Sequence, residues 1–380
     1  MLFSHIADTH LGLVQYGSNE REQDVYDVFN QSIDISIKDN VDFVIFAGDI
    51  FHMPNPNGRA IIQMANALKR LKENNIDSFF ILGEHDISRI KTTPVPYVYH
   101  NLGFSKYIGN GKPIEYKGIM IAGLDKIRKT EMSQYEEIFL NLDKSVEKFE
   151  GHKILVLHQG ITEFNKFAGE LQSTDLPKNF TYYAMGHLHD KEIKEFNHIK
   201  GPIVYPGSIE LTTSEGIKDV KKGFFEVDIS GKEAIPKWIE LDIRPQFSFN
   251  TKYTELEKTI GEIIEKISDL AKKPMIQVKI EGEEIETDHI QSQIARLNSL
   301  ALRCFWIFTT KQISDSSVFL DRPSVIEDEI IRLSINALDS EKEANFAVKQ
   351  LLPALSTDGI DQALEIILEN FEKFKKEEKQ

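Results

Sequence analysis

Five short stretches of the sequence end in side chains that can hold a cation or move a proton. "IADTHLG" carries Asp8 and His10, "FAGDIFH" carries Asp49 and His52, "FFILGEHDIS" carries Glu84, His85 and Asp86, "LHQG" carries His158, and "MGHLHD" carries His187 and His189. Asp8 and His10 are two residues apart, as are His187 and His189, so on an extended backbone each pair points to one side. Carboxylate oxygens suit hard divalent ions, imidazoles suit manganese, iron or zinc, and a shared carboxylate keeps two ions together. Two such ions, roughly 3.5 to 4 Å apart, can grip one phosphate, activate a water and stabilise an in-line displacement. Taken singly, a histidine at a strand end is also a common packing residue, and Asp after Gly a common turn former.

The elements that must position these side chains are visible as apolar runs. "LFSHIA", "VDFVIFAGD", "SFFILG", "KGIMIAG", "HKILVLHQG", "TYYAMGH", "PIVYPGS" and "KGFFEVDI" read as strands, with amphipathic helices between several of them. Several of the runs end in Gly, Asp or His, which places polar groups at strand C-termini, where α/β folds assemble their sites. The expected class is α/β over residues 1–245. After "RPQFSFN" the texture changes. Residues 252–271 are helical in pattern, "PMIQVKI" is strand-like, 287–299 helical and "LRCFWIF" strand-like, which predicts a small α+β unit over 246–312. "KQISDSSVFLDRPS" reads as a boundary, and 313–380 as a linker and helical segment. There Ile360, Ala363, Leu364, Ile367, Phe371 and Phe374 form one apolar stripe.

Asp-x-His, Gly-Asp, Gly-x-His-Asp, His-Gln-Gly and Gly-His-x-His, in this order, resemble the signature of calcineurin-like metallophosphoesterases. Gly48-Asp49 is followed by Ile50, Phe51 and His52, not by the Asp-Arg pair of phosphoprotein phosphatases. "HIADTHLG", "AGDIFH", "HQG", "GHLH" and "YPGS", with the cap and helical tail, resemble the double-strand-break-repair nucleases of the SbcD and meiotic-recombination-eleven family. The resemblance implies a two-sheet β-sandwich flanked by helices, and two divalent ions, manganese by preference. Asp8, His10, Asp49 and His189 would hold the first ion. Asp49, as bridge, would join Glu84, His158 and His187 around the second. His85 would stabilise the transition state or protonate the departing oxygen, with His52 as an orienting group. Asp86 is expected to cap a helix, with orientation of His85 as the alternative. At the position of Glu84 the family has Asn; glutamate is longer and charged, so tighter binding of the second ion and altered rate are expected.

The resemblance further implies a DNA nuclease, 3′-to-5′ on duplex ends and endonucleolytic on single strands or hairpins. It implies an SMC-like coiled-coil ABC ATPase partner, which the stripe of Ile360, Leu364, Ile367, Phe371 and Phe374 would suit. It also implies a homodimer, for which Ile61, Met64, Ala65, Leu68, Tyr97, Tyr99 and Leu102 are the candidates. The alternatives are a phosphodiesterase for nucleotides or small diesters, and a catalytically weak scaffold at DNA ends.

Composition sets outer bounds. The chain of 380 residues is 41% hydrophobic and 28% charged, which fits a globular protein of two or three domains. A single cysteine, Cys304, excludes an internal disulfide and cysteine-based zinc sites, leaving the 11 histidines as nitrogen ligands. No signal-like or membrane-length apolar run occurs, so a cytoplasmic location is expected. The net charge of −15 argues against DNA binding by bulk electrostatics but not against local basic groups. Lys126, Arg128 and Lys129, or Lys218, Lys221 and Lys222, are such groups; each is equally readable as a solvated loop.

Overall fold

The computed structural model describes residues 1–88, 92–127, 135–166, 168–282, 286–310 and 345–351. Two compact units result, Met1–Thr309 and Thr310–Gln380. In the second, the described backbone is one π-helical turn at Ala347–Leu351. The stripe from Ile360 to Phe374 lies outside the described residues.

Along the first unit run β1 (Leu2–Ile6), α1 (Asn19–Lys38), β2 (Phe43–Ala47), α2 (Gly58–Glu73), β3 (Asp77–Ile81), α3 (Tyr97–Asn101) and β4 (Lys106–Tyr107). Then come β5 (Ile114–Tyr116), β6 (Ile119–Leu124), α4 (Tyr135–Val146), β7 (Lys153–His158), β8 (Tyr182–Gly186), β9 (Glu192–Lys194) and β10 (Ile203–Tyr205). They continue as β11 (Lys222–Asp228), β12 (Ile235–Leu241), β13 (Gln246–Lys252), α5 (Leu256–Ile267), β14 (Met275–Gly282), α6 (Thr287–Ala295) and β15 (Arg303–Thr310).

Two six-stranded sheets face one another, ordered β12-β11-β1-β2-β3-β4 and β5-β6-β7-β8-β10-β9. Between them lies a core of Phe3, Ile45, Phe79, Ile81, Ile121, Ile154, Val156 and Tyr182. The outer face of the first sheet is covered by α1 and α2 through Val25, Phe29, Met64 and Leu68, and that of the second by α4 through Phe139 and Leu142. Strands covered on both faces must be apolar throughout, which is why "FVIFA" of β2 shows no alternation and is buried at every position. The helices α1 and α2 begin at ordinary caps: the Ser18 hydroxyl accepts from Arg21 N and the Asn57 side chain from Ala60 N.

The central strands are parallel, β1 to β2 to β3 in one sheet (Ile6 beside Phe46, Ala47 beside Ile81) and β7 to β8 in the other (His158 beside Gly186). Their C-termini therefore open at one edge of the sandwich. The third sheet, β13-β14-β15, has its own core with α5 and α6, built from Ile260, Ile263, Ile276, Val278, Ile290 and Ile294. Its first strand is Gln246–Lys252, parallel to β14, a strand that the sequence reading did not assign. Among the described residues no helix is long and apolar enough to cross a membrane.

Candidate metal centre

Every ligand-type residue of the five motifs lies at that common edge. Asp8 and His10 follow β1, Asp49 follows β2, Glu84 and His85 follow β3, His158 ends β7, and His187 and His189 follow β8. The chain has to turn sharply here, and Asp8 (φ 51°), His10 (φ 42°), Asp49 (φ 49°) and His187 (φ 96°) all have positive φ. Left-handed backbone is unfavourable for such residues and persists only where the surroundings enforce it. Here the loops enforce it on each other, since Asp8 N donates to Gly48 O, His10 N to Asp49 O, and Leu11 N to Ile50 O. Gly48 is required by the same crowding: at φ +86° a Cβ would stand 2.4 Å from His158 Nδ1.

The donors form overlapping groups whose ligand atoms lie within 4.8 Å of one another: Asp8, His10 and His189; Glu84, His158 and His187; and Asp8, Asp49 and His158. Asp49 Oδ2 lies 3.8 Å from His10 Nε2 and 3.4 Å from His158 Nε2, so it reaches both sets. His158 Nε2 lies 3.0 Å from Glu84 Oε2 and 3.8 Å from Asp8 Oδ1, and His187 Nδ1 lies 2.8 Å from Glu84 Oε1. His10 Nε2 and His189 Nε2 face one another at 3.2 Å.

The far side of several rings is fixed so that the near nitrogen is available. His158 Nδ1 donates to Ala47 O at 2.7 Å, and a carbonyl can only accept, so the tautomer leaves Nε2 toward the carboxylates. That buried Nε2 has no hydrogen-bond partner of acceptable geometry. His189 Nδ1 lies 3.3 Å from Glu215 Oε2 and 3.2 Å from Thr212 Oγ1. Glu215 is itself gripped by the buried Lys222, whose ammonium also reaches Ser208 Oγ at 2.9 Å and His189 O at 2.8 Å. Lys222 is therefore an internal brace and not a phosphate contact. Glu215 and Thr212 hold His189, and nothing in their own sequence context marks them for it.

Burial and charge act against each other throughout. Burial lowers His10 to about 3 despite Asp49, so its ring is neutral and able to coordinate. Burial would also lower His158, but Asp49 and Glu84 outweigh it and raise its proton affinity well above the ordinary value. Burial would raise Asp49, but His158 and His10 bring it down to about 2. Asp8, with burial dominant, is raised to about 6. A field that holds a proton so firmly among three carboxylates is one that attracts dications. The set of mixed oxygen and nitrogen donors, with an orphaned imidazole nitrogen at its centre, fits a pair of divalent ions.

His85 stands beside this set. Its Nδ1 donates to His52 O at 2.8 Å, its backbone N donates to Asp49 Oδ1 at 2.9 Å, and its ring stacks on that of His52 at 5.3 Å. A ring nitrogen of His85 also lies within 4.8 Å of donor atoms of Asp49 and Glu84, and of His10 and His52, so the ring borders the candidate metal centre directly. Among the described residues Asp86 caps no helix: its carboxylate accepts from Ile50 N, Phe51 N and Gly83 N, tying the loop after β3 to the loop after β2. The only strand-region histidine among the described residues that reads similarly in sequence but serves packing is His5, held by Tyr182 and Met185 O.

The expected dimer residues divide by burial. Met64, Leu68 and Tyr99 fill the domain's own core, Ile61, Ala65 and Tyr97 pack partly against it, and Leu102 is exposed, as are Ile62 and Val98. Of the basic groups, Lys218 and Lys221 pair with Asp190 and Glu240, Lys126 turns into the metal centre, and Arg128 and Lys129 lie outside the described residues.

A sandwich with carboxylates and imidazoles gathered at one edge defines a metal-dependent phosphoesterase, and residues 1–191 match the family described as calcineurin-like phosphoesterase. The chain is 31% identical over 376 residues to the "DNA double-strand break repair protein Mre11" of Saccharolobus solfataricus, covering 95% of this chain and 97% of that one. The protein of the same name from Sulfurisphaera tokodaii is 32% identical, with 90% and 91% covered, and that from Methanocaldococcus jannaschii 33% identical, with 74% and 77% covered. The chain belongs to the Mre11 family, and is an enzyme of the phosphoesterase class.

Proposed function

We propose that this protein is a manganese-dependent DNA nuclease of double-strand break repair, cleaving phosphodiesters 3′-to-5′ from duplex ends and endonucleolytically in single strands or hairpins. The observation that carries the reading is the convergence of Asp8, Asp49 and Glu84 with His10, His158, His187 and His189 at one strand edge. Asp8, His10, Asp49 and His189 would hold one ion, and Asp49, Glu84, His158 and His187 the other. When bound, such a pair concentrates positive charge against a phosphodiester and supplies a nucleophile at neutral pH. The protein's own residues do the rest. Asp49 and Asp86 keep the β3 loop in place, and His52 O orients His85. His85 Nε2 then faces the departing oxygen, to protonate it or to hold its charge.

The names of the relatives support DNA as substrate class. Exposed Ile62, Val98 and Leu102 on α2 and α3 supply the apolar face for a homodimer, which sedimentation of the purified chain measures directly. An SMC-like ABC ATPase would dock on the C-terminal helical segment. The decisive experiment is cleavage of blunt duplex, hairpin and single-stranded DNA with manganese, beside a small chromogenic phosphodiester. His85→Ala should lose about 100-fold or more in turnover with manganese binding kept. A parent chain that turns over only the small diester would point to a small-molecule phosphodiesterase, and one that binds DNA ends without cutting to a scaffold.

A further inference from the structure

We propose that Lys126 is a positioning residue that offsets the charge Glu84 brings to the metal centre, and so sets how tightly the Glu84, His158 and His187 set binds its ion. This rests on the metal-centre reading above. Lys126 Nζ lies 3.8 Å from Glu84 Oε2, 2.7 Å from Glu170 Oε2 and 3.4 Å from His187 Nε2, and its side chain is only 9% exposed. A lysine meant for a phosphate would keep its ammonium toward solvent; this one is enclosed between two carboxylates at the base of the site.

Its place is built into the backbone. Lys126 N donates to Leu82 O at 2.9 Å, while Leu82 N donates to Asp125 Oδ1 at 2.8 Å, so residues 125 and 126 are stitched to the strand end from which Glu84 projects. Tyr107 OH holds the other Asp125 oxygen at 2.6 Å. Glu170, which fixes the ammonium from the far side, is in turn held by Gly160 N at 3.3 Å. A glutamate in place of an uncharged side chain would leave a third carboxylate beside Asp8 and Asp49. The neighbouring cation reduces that repulsion in the metal-free protein and opposes over-tight capture of a dication.

The test uses the full chain without DNA, by calorimetric titration with manganese and by melting with and without the metal. Lys126→Met should tighten manganese binding at least tenfold, since it removes a cation 3.8 Å from the Glu84 carboxylate. It should also lower the metal-free melting temperature. In a Glu84→Asn background that drop should shrink to the share that comes from Glu170, which stays 2.7 Å from the ammonium, and Lys126→Arg should behave as the parent. Equal melting losses in both backgrounds would mean that the lysine acts through Glu170 or packing alone, and unchanged affinity would likewise overturn the proposal. Should Lys126→Met fail to fold, Lys126→Gln keeps a hydrogen bond to Glu170 while removing the charge, and the same readings apply. These readouts are independent of cleavage, so a chain that binds manganese but cuts no DNA leaves this inference intact.

Discussion

A histidine ligand is only as good as whatever holds its other nitrogen. His189 shows this most clearly, because its Nδ1 faces Glu215 and Thr212 while its Nε2 faces His10. Burial opposes charge on His189, yet Glu215 outweighs it and raises the proton affinity; the same contact, with Lys222 opposite, lowers Glu215 against its own burial. The carboxylate thus fixes the tautomer and increases the electron donation of the ring. Glu215→Gln keeps the side chain's shape, and its one amide oxygen can accept from Thr212 N while the NH2 turns toward the Lys222 ammonium, so some stability is lost; manganese binding should weaken by roughly 10- to 100-fold. Metal titration beside a melting curve separates the two effects; parent-like affinity would remove Glu215 from the site.

At the scale of strands and loops, the site depends on how the ends of β3 and β6 are held together, and Asp125 is the fastening. It accepts from Leu82 N and from Tyr107 OH, but burial dominates and raises its carboxyl to about 7. The folded protein keeps this proton up to about pH 7, whereas the unfolded chain releases it near 3.8. Its stabilising contribution is therefore complete below about pH 4, falls as pH rises toward 7, and is flat beyond. The total is about 3 to 4 kcal/mol. Asp125→Asn can still accept from Leu82 N and donate to a rotated Tyr107 hydroxyl, so the difference in melting temperature between variant and parent should change steadily between pH 4 and 7 and then level off. A constant difference would show that the group titrates normally. The strands themselves were legible because β1, β2, β3, β7 and β8 are covered on both faces and so read as largely apolar runs, with Ser4 and His5 of β1 among the exceptions. Gln246–Lys252 was not, because only Phe247 and Phe249 mark its short alternation and its partner strand lies more than twenty residues away. The motif donors were legible from type and order. Glu215, Thr212 and Lys126 were not, because their roles come from contacts distant in sequence and their types are ordinary on any surface.

Across the whole first unit, the third sheet is fastened to the sandwich by a few specific contacts. Arg244, at the start of the connection, grips Asp24 of α1 with Nε at 2.6 Å and Nη2 at 2.8 Å, and donates from Nη1 to Lys273 O at 2.7 Å. Asp24 is shared with the fully buried Arg21, which also binds Glu210 and, through Nε, the side chain of Gln15. Gln15 donates to Thr212 O, and Thr212 touches His189, so a continuous polar chain runs from the connection to His189 in the candidate metal centre. Beside it the Tyr16 ring meets Phe305 of β15 with centroids 4.7 Å apart. Buried ion networks contribute little net stability when intact but are costly to break on one side, because a desolvated charge loses its partner. Arg244→Ala leaves Asp24 with Arg21 alone and frees Lys273 O, and should cost about 2 kcal/mol in chemical denaturation, below the cost for a fully buried pair because Arg244 is partly exposed. If the chain of contacts transmits that loss, manganese affinity also falls, and does so in a variant whose altered residue touches no ligand. Reduced stability with unaltered affinity would confine Arg244 to holding the third sheet in place; a double-mutant cycle with Gln15→Ala, reading affinity, distinguishes a coupled path from two separate losses.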